Sequence, residues 1–399
     1  MYAFRKPINA AQFAGATILG SGIDLKTALL VGQILGYAAS KYLGIFVCSS
    51  VPREAGARTL AGLILWAQAA LVAFAVAPPA WKVGAMFLNG LPLGMVWGLV
   101  VRYLEGRRTS ELLLAALSTS FILASGAVKD IGTWLLHARG VPEAWMPAVA
   151  GALFLVPFLA SVRLLHTSPP PDAEDEAARV PRRPMGAADR RAFLLRFGPA
   201  MVPLLVVYFF LTAYRDFRDN YGAEIFASLG YNGLSGLFTR SELPAAVAVL
   251  GALASLGLIR DHSRALLAIY GLMVAGLVAV GASTAMFLTG RLGGMSWMIT
   301  VGVGSYLAYV PLSAVFFERL TAAGGSVGTA VFGIYIADAL GYTGSTFVQI
   351  YRDLARGAEP RLAFFETFSS GLAAWGVLLV LVSALLMRRA LRSGRAPAG

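Results

Sequence analysis

The chain has 399 residues, of which 57% are hydrophobic and 14% charged, and its mean hydropathy is +0.69. A soluble globular protein carries about 25% charged residues, so the composition indicates an integral membrane protein and excludes a disordered chain or a disulfide-stapled secreted module. One cysteine, Cys48, allows no intrachain disulfide. The histidines (His137, His166 and His262) lack metal-ligand spacing, so we expect no metal and no cofactor.

A positive net charge is the second general feature. The formal net charge is +12, a value also found in nucleic-acid-binding proteins. No basic stripe of the sequence carries interleaved aromatic residues, as nucleic-acid binding would favour. Membrane proteins concentrate Lys and Arg in their cytoplasmic loops, and this bias explains the charge. We therefore expect the lipid bilayer, and no nucleic acid, as a partner.

Apolar segments of about 20 residues, the length that crosses the hydrocarbon of a bilayer, occur along the whole chain. They predict eleven membrane spans, near residues 25–48, 58–77, 82–101, 110–136, 145–165, 197–217, 240–259, 265–288, 295–317, 325–350 and 365–387. Residues 2–19 provide only part of a twelfth span. We expect this first helix to be truncated, with the true start of the protein upstream of Met1.

The basic residues between the predicted spans define an orientation. One set of alternate loops, together with the C-terminal tail, holds 19 Lys and Arg residues, and the opposite set holds 9. The positive-inside rule places the richer set in the cytoplasm. We therefore expect a cytoplasmic C-terminus.

One long linker interrupts the pattern of spans. Residues 167–196 combine a Ser-Pro-Pro-Pro segment with clustered acidic and basic residues, which is typical of a solvated connector. The linker divides the chain into a six-helix half over residues 1–166, with its first helix incomplete, and a six-helix half over 197–388. Residues 389–399 form a cytoplasmic tail.

Charged residues inside predicted spans are the best candidates for function. A charge at the centre of a lipid-exposed helix costs at least about 2.5–3.5 kcal/mol, so such residues face a cavity or a partner. The basic candidates are Arg5, Lys6, Lys41, Lys129 and Arg215, and the acidic ones are Asp130 and Asp338. Membrane-interface anchoring is the alternative for Arg5, Lys6 and Lys41, and a charge at the outer end of a span is the alternative for Arg215.

Short similar segments indicate that the two halves are parallel repeats. Tyr2-Ala3-Phe4-Arg5 is similar to Thr212-Ala213-Tyr214-Arg215, and the residues 36–40 are similar to 251–255. Transporter folds are often built from such repeats. Gly90, Gly94 and Gly98 also form a row with a spacing of four residues, which predicts close helix packing.

Twelve spans in two sets of six resemble the major facilitator superfamily. Within it, Arg5-Lys6 and the segment Gly36-Tyr37-x-x-Ser40-Lys41-x-x-Gly44 resemble the organophosphate:inorganic phosphate antiporters. This resemblance implies an all-α six-plus-six helix bundle in a bacterial inner membrane that acts as a monomer. It also implies a secondary transporter of a small anionic solute, an organic phosphate or a carboxylate, in which Arg5, Lys41 and Arg215 hold the phosphate. We expect Lys6 to be a substrate-binding residue as well. Proton coupling or ion pairing is the role we expect for Lys129, Asp130 and Asp338, with a purely structural ion pair as the alternative.

The loop after the second predicted helix departs from the superfamily pattern. Superfamily members usually carry an acidic residue where this sequence has Ser49 and Ser50. This departure keeps a second hypothesis open, a transporter-like receptor or sensor that binds the solute without moving it. An enzyme is not expected, because no nucleophile–base or metal cluster is apparent and no Gly-x-x-x-x-Gly-Lys-Ser/Thr nucleotide loop occurs.

Overall fold

The computed structural model of the protein describes residues 1–18, 22–104, 110–169, 174–175, 187–231, 234, 236–324 and 330–393. Within them the chain is almost entirely helical. The α-helices are α1 (Leu25–Ser50), α2 (Arg53–Val76), α3 (Pro79–Leu104), α4 (Ser110–His137), α5 (Met146–Thr167), α6 (Ala187–Asn220), α7 (Gly222–Ser228), α8 (Leu237–Gly257), α9 (His262–Leu288), α10 (Gly294–Pro311), α11 (Phe317–Gly324), α12 (Ala330–Arg356) and α13 (Arg361–Ser393). A π-helical turn, Leu312–Phe316, joins α10 to α11.

The eleven predicted spans are confirmed as helices. Ten overlap with one helix each, although residues 325–329 of the span near 325–350 lie outside the described residues. The span near 295–317 is formed by α10, the π-turn and α11. Eight helices of the described residues are long and apolar enough to cross a membrane, in α2, α3, α5, α6, α8, α9, the α10–α11 segment and α13. A helix can cross a bilayer because it satisfies its own backbone hydrogen bonds. With these eight helices, the protein is a multi-pass membrane protein.

The first predicted helix differs from the prediction. Residues 2–19 were expected to form part of an α-helix, but the described part contains two short 3₁₀ helices, Tyr2–Phe4 and Pro7–Ala10. Proline lacks the backbone N–H that a continuing helix needs. Phe13 and Gly15 then adopt φ angles of 50° and 75°, which a right-handed helix does not allow.

The chain divides into two compact units. The first unit contains Met1–Arg179, Asp219–Arg240 and Val348–Arg361, and the second contains Val180–Arg218, Ser241–Phe347 and Leu362–Gly399. The last two residues of α6 and the end of α12 therefore belong to the first unit. This assignment matters for the site, because it places Asp219 with residues from the beginning of the chain.

Helices of the first unit approach each other closely at glycine residues, which have no side chain. A Cβ atom at Gly90 would meet the backbone of Gln33 and Tyr37, and one at Gly94 would meet Ser40. The predicted packing role of these α3 glycines is confirmed. Asn89, on the same helix, donates hydrogen bonds to the carbonyls of Phe4 and Ala67 at 3.2 and 3.0 Å. The 3₁₀ segment is thereby attached to α2 and α3.

The second unit is built around aromatic packing and one glycine contact. A Cβ at Gly276 of α9 would meet the carbonyl of Gly304 in α10, so these helices approach closely. Trp297 is fully buried, stacks on Phe287 with 4.3 Å between ring centroids, and donates to Thr284 Oγ1 at 3.0 Å. The buried indole N–H of Trp297 therefore has a hydrogen-bond partner, as is usual for a tryptophan in a core.

Candidate functional site

A buried carboxylate, Asp219, lies at the centre of an ionic group in the first unit. Its Oδ1 accepts from Lys129 Nζ at 2.5 Å and from Ser125 Oγ at 2.8 Å, and its Oδ2 forms an ion pair with Lys6 Nζ. The side chains of Lys6, Lys129 and Asp219 are 10%, 1% and 7% exposed. We call Lys6, Ser125, Lys129 and Asp219 the Asp219 cluster. It consists of two ammonium groups and one hydroxyl that converge on a single carboxylate.

Local structure explains how these donors converge. Ser125 and Lys129 are four residues apart in α4, so they share one face of that helix. Lys6 directly precedes the second 3₁₀ helix. Asp219 is in the last turn of α6. Lys129 Nζ also lies 4.8 Å from the ring centroid of Phe238, a contact that stabilises the ammonium group.

Amide side chains extend the Asp219 cluster. Asn220 Oδ1 accepts from Asn9 Nδ2 at 3.0 Å and from Lys6 Nζ at 3.5 Å, and Asn220 Nδ2 donates to Gln349 Oε1 at 3.1 Å. The carbonyl of Asn9 accepts from Lys26 Nζ at 3.1 Å. Residues from the start, middle and end of the chain are therefore joined in one polar network within this unit.

A second set of ion pairs lies in the same unit. Lys26 Nζ is 2.7 Å from Glu224 Oε1. Asp24 pairs with Arg361 and lies 3.7 Å from Arg352 Nη1, and Arg352 is 3.0 Å from Asp353 Oδ1. The three acidic and three basic residues of this set balance in charge, which indicates a structural role for these ion pairs.

Three of the predicted substrate-binding residues, Arg5, Lys6 and Lys41, belong to the first unit, and Lys6 is part of the Asp219 cluster. The Arg5 guanidinium lies 4.3 Å from the ring centroid of Tyr37, a residue of the motif that carried the resemblance. Gln33 Nε2 contacts the Arg5 carbonyl at 3.4 Å. The backbone of Lys41 is in α1, but its side chain lies outside the described residues. The role predicted for it remains a prediction.

Asp130 has contacts that the sequence did not reveal. Its carboxylate accepts from the backbone N–H groups of Phe238 and Thr239 at 3.0 and 2.7 Å, and from Thr239 Oγ1 at 2.5 Å. Phe238 and Thr239 are in the first turn of α8, where backbone N–H groups have no partner within the helix. Asp130 therefore caps α8 from another helix, which is a structural role.

Arg215 lies in the second unit, beside an aromatic pair. Its guanidinium is 4.0 Å from the ring centroid of Tyr309, and Tyr309 stacks on Tyr208 with 5.1 Å between centroids. Arg215 Nη2 is 2.8 Å from Asp216 Oδ1. Asp338 belongs to the same unit and is only partly buried. The role predicted for Arg215 and Asp338 remains a prediction.

The second unit also contains an ion pair that the sequence did not single out. Arg218 Nη1 is 2.7 Å from Glu242 Oε1, and both side chains are 2% exposed. Arg218 Nη2 donates to the carbonyl of Met298 at 3.0 Å. Sequence reasoning missed Glu242 because the residue lies at the edge of a predicted span. The sequence signal that could have identified Glu242 is its position three residues into an apolar segment.

Solved membrane transporters share this fold. A D-xylose–proton symporter matches with a TM-score of 0.64 and 14% identity over 96% of this chain and 94% of that one. A bacterial homolog of the human lysosomal transporter Spinster, inward-facing and unoccupied, matches with a TM-score of 0.64 and 14% identity over 100% and 97%. The major facilitator superfamily transporter FucP, in the outward conformation, matches with a TM-score of 0.55 and 12% identity over 98% and 96%.

These likenesses define the class of the protein as a multi-pass membrane protein with the major facilitator fold. None of the curated proteins compared with the chain matches it. A family described as a family of unknown function, DUF5690, matches residues 7–390. The chain belongs to this family.

Proposed function

We propose that the protein is a secondary transporter of the major facilitator type. Its solute is a small anion, an organic phosphate or a carboxylate, which is exposed first to one side of the membrane and then to the other. The fold, which it shares with solved transporters, supports the transport part of this proposal. The Asp219 cluster supports the anionic solute.

The Asp219 cluster carries the proposal because of the chemistry of its donors. Lys6, Lys129 and Ser125 hold a carboxylate in a buried place. The same ammonium and hydroxyl donors suit the oxygens of a phosphate or a carboxylate solute. Charges inside the membrane are costly and mark solute pathways. Arg5 and Lys41, of the same unit, are further cations for the proposed solute site, and Arg215 of the second unit stays a predicted solute contact.

The proposal includes an orientation and a mode of transport. The excess of arginines in the linker, the alternate loops and the tail supports a cytoplasmic C-terminus. Exchange of one anion for another, in the inner membrane of a bacterium and by a monomer, is the simplest mode for such a carrier. Exchange moves no net charge when the two anions have equal charge.

Counterflow in proteoliposomes tests the proposal. Vesicles loaded with unlabelled glycerol 3-phosphate, phosphate or malate are diluted into traces of the labelled solute, and a carrier accumulates label transiently. We expect accumulation of at least one of these anions. Lys129→Gln and Arg215→Gln are expected to reduce the rate about tenfold or more, since each removes a charge-assisted contact of about 1.5–3 kcal/mol.

Matched controls separate a loss of solute contacts from a general loss of charge. Lys82 Nζ lies 4.7 Å from the Phe74 ring centroid, much as Lys129 lies over Phe238, and it donates to a backbone carbonyl. Arg139 is exposed and lies over Trp134 at 4.8 Å. Lys82→Gln and Arg139→Gln should leave counterflow unchanged. Binding of an anion without flux would instead support a receptor.

A further inference from the structure

A surface recess between α4 and the start of α8 is not used by the proposed solute contacts. Its volume is about 520 Å³, a size typical of ligand sites. The side chains that line it from α4 are Ala127, Asp130, Ile131 and Trp134, and those from α8 are Thr239 and Arg240. All six residues belong to the first unit.

The recess and the Asp219 cluster lie on different faces of α4. Ser125 and Lys129 of this helix donate to Asp219. The residues of α4 that line the recess recur at intervals of three or four between positions 127 and 134, so they form a stripe of their own. The recess is therefore a separate site.

Asp130 contributes no free negative charge to the recess. Its carboxylate accepts from the backbone N–H groups of Phe238 and Thr239 at 3.0 and 2.7 Å, and from the Thr239 hydroxyl at 2.5 Å. These donors lie at the N-terminus of α8, where the helix dipole is positive. The charge of Asp130 is thus compensated by the helix end that it holds against α4.

Arg240 gives the recess a positive charge that is not compensated. Its side chain is exposed and forms no ion pair or hydrogen bond with any residue that the structure describes. A Cβ on Gly236, in the turn before α8, would lie 3.8 Å from Arg240 Nε, so the side chain folds back across that turn. The indole N–H of Trp134 also lacks a hydrogen-bond partner among the described residues. A guanidinium and an indole donor are therefore available to a ligand.

Tryptophans place the recess at the membrane surface. Trp134 is 39% exposed in the last turn of α4, Trp145 is 42% exposed directly before α5, and Trp81 is 71% exposed near the start of α3. Exposed tryptophans of membrane proteins concentrate at the level of the lipid headgroups. Ala127 lies seven residues before Trp134, or about 10 Å along α4 towards the hydrocarbon. The recess is thus polar at the membrane surface and apolar below it.

We propose that the recess binds the headgroup of an anionic phospholipid. The lipid phosphate lies against the Arg240 guanidinium and the Trp134 indole N–H, and an acyl chain follows Ala127 and Ile131 into the bilayer. Arginine suits phosphate oxygens because it presents two parallel donors, and basic recesses between membrane helices bind the headgroups of anionic lipids. One uncompensated guanidinium matches the single negative charge of a phosphodiester. The inference does not depend on the proposed function.

A lipid fits this place better than a free phosphate ion. A free ion can use the donors of Arg240 and Trp134, but it has no group for the apolar wall formed by Ala127 and Ile131. Arg139 lies over the Trp134 ring at 4.8 Å and is not part of the lining. The experiment includes inorganic phosphate, so that the two sources of a phosphate group are compared directly.

Native mass spectrometry of the delipidated protein, titrated with dioleoylphosphatidylglycerol in detergent, tests the proposal. We expect one phosphatidylglycerol to bind saturably to each chain, and phosphatidylcholine, which has no net charge, to bind more weakly. Arg240→Gln should weaken binding about tenfold or more, because it removes a charge-assisted contact. Trp134→Phe keeps an aromatic ring without the N–H and should weaken binding about two- to tenfold.

The matched control is Arg291→Gln. Arg291 is exposed between α9 and α10, and its side chain likewise has no partner in the described part of the chain. The variant removes the same charge from a place without a recess, so phosphatidylglycerol should bind as it does to the wild type. Arg240 is itself exposed, so replacing it should leave the fold intact.

Hydrogen exchange of the unmodified protein supplies a measurement that needs no variant. Phosphatidylglycerol should slow amide exchange in the last turns of α4 and the first turn of α8, and phosphatidylcholine should have a smaller effect. Added sodium chloride should reduce the protection, because salt screens a charge pair at the surface.

Four results would overturn the proposal: no saturable binding, equal binding of the two lipids, equal losses in Arg240→Gln and Arg291→Gln, or unchanged exchange at these two helix ends. Displacement of phosphatidylglycerol by an equimolar amount of inorganic phosphate would also overturn it, since the site would then select the free ion. Counterflow measures the proposed function separately. Its failure would leave lipid binding at Arg240 standing, and a failure of lipid binding would leave the carrier standing.

Discussion

Replacing Asp219 with asparagine perturbs the carboxylate on which Lys6, Lys129 and Ser125 converge. The variant removes the charge that receives Lys129 at 2.5 Å, together with Lys6 and the Ser125 hydroxyl. Both lysines are buried, and removing one partner of a buried ion pair costs about 3–5 kcal/mol. Asparagine keeps one acceptor oxygen, so we expect the low end of this range, about 3 kcal/mol, in the free energy of unfolding.

A double-mutant cycle with Lys129→Gln measures the pairwise part of this loss. The folded fraction is followed by tryptophan fluorescence during titration with sodium dodecyl sulfate, using the seven tryptophans of the chain. Contacting residues show coupling energies of about 0.5–3 kcal/mol, and a buried pair of charges should lie in the upper part of that range.

The matched control is a cycle on Arg356 and Glu359. This pair is 2.9 Å apart, but the arginine side chain is 44% exposed. Exposed pairs contribute about 0–1 kcal/mol, so the coupling there should be small. Additive effects of Asp219→Asn and Lys129→Gln, or a coupling no larger than that of the control, would refute the assignment of Asp219 as the centre of the cluster.

Two further predictions concern helix ends and helix contacts. Asp130→Ala should lower the free energy of unfolding by about 0.5–2 kcal/mol and speed amide hydrogen exchange in the first turn of α8, because that turn loses its cap. Asp130→Asn should restore much of the protection. Unchanged exchange in the alanine variant would argue against the cap. Gly36→Ala places a Cβ against the Phe87 carbonyl and should cost about 1–3 kcal/mol in the same detergent titration, whereas Gly62→Ala meets no atom within 4 Å and should be tolerated. Equal stability of the two alanine variants would contradict the close contact of α1 with α3.

The helices were predictable because their signal is local. A run of about 20 apolar residues needs a helix in lipid, whatever the rest of the chain does. The segment before α1 was wrongly predicted as part of a helix for a local reason too. Pro7 and the positive φ angles at Phe13 and Gly15 break the helical backbone there.

The ionic partners were less predictable because they depend on distant parts of the chain. Lys6 and Lys129 were selected as charges inside spans, but Asp219 lies 213 and 90 residues away from them. Asp130 was selected for the same reason as Lys129, yet its neighbours are the backbone groups of a helix that begins more than a hundred residues later. The cost of burying a charge marks which residues need a partner, but does not identify that partner.

Solute selection is the property that most clearly identifies an anion carrier. Purified protein in proteoliposomes is assayed for counterflow of labelled glycerol 3-phosphate and of labelled xylose, a neutral solute, with Lys129→Gln beside the wild type. We expect exchange of the phosphate ester, a reduction of this exchange by about tenfold or more in the variant, and no exchange of xylose. Exchange of xylose that is unaffected by Lys129→Gln, without exchange of any anion, would contradict this expectation.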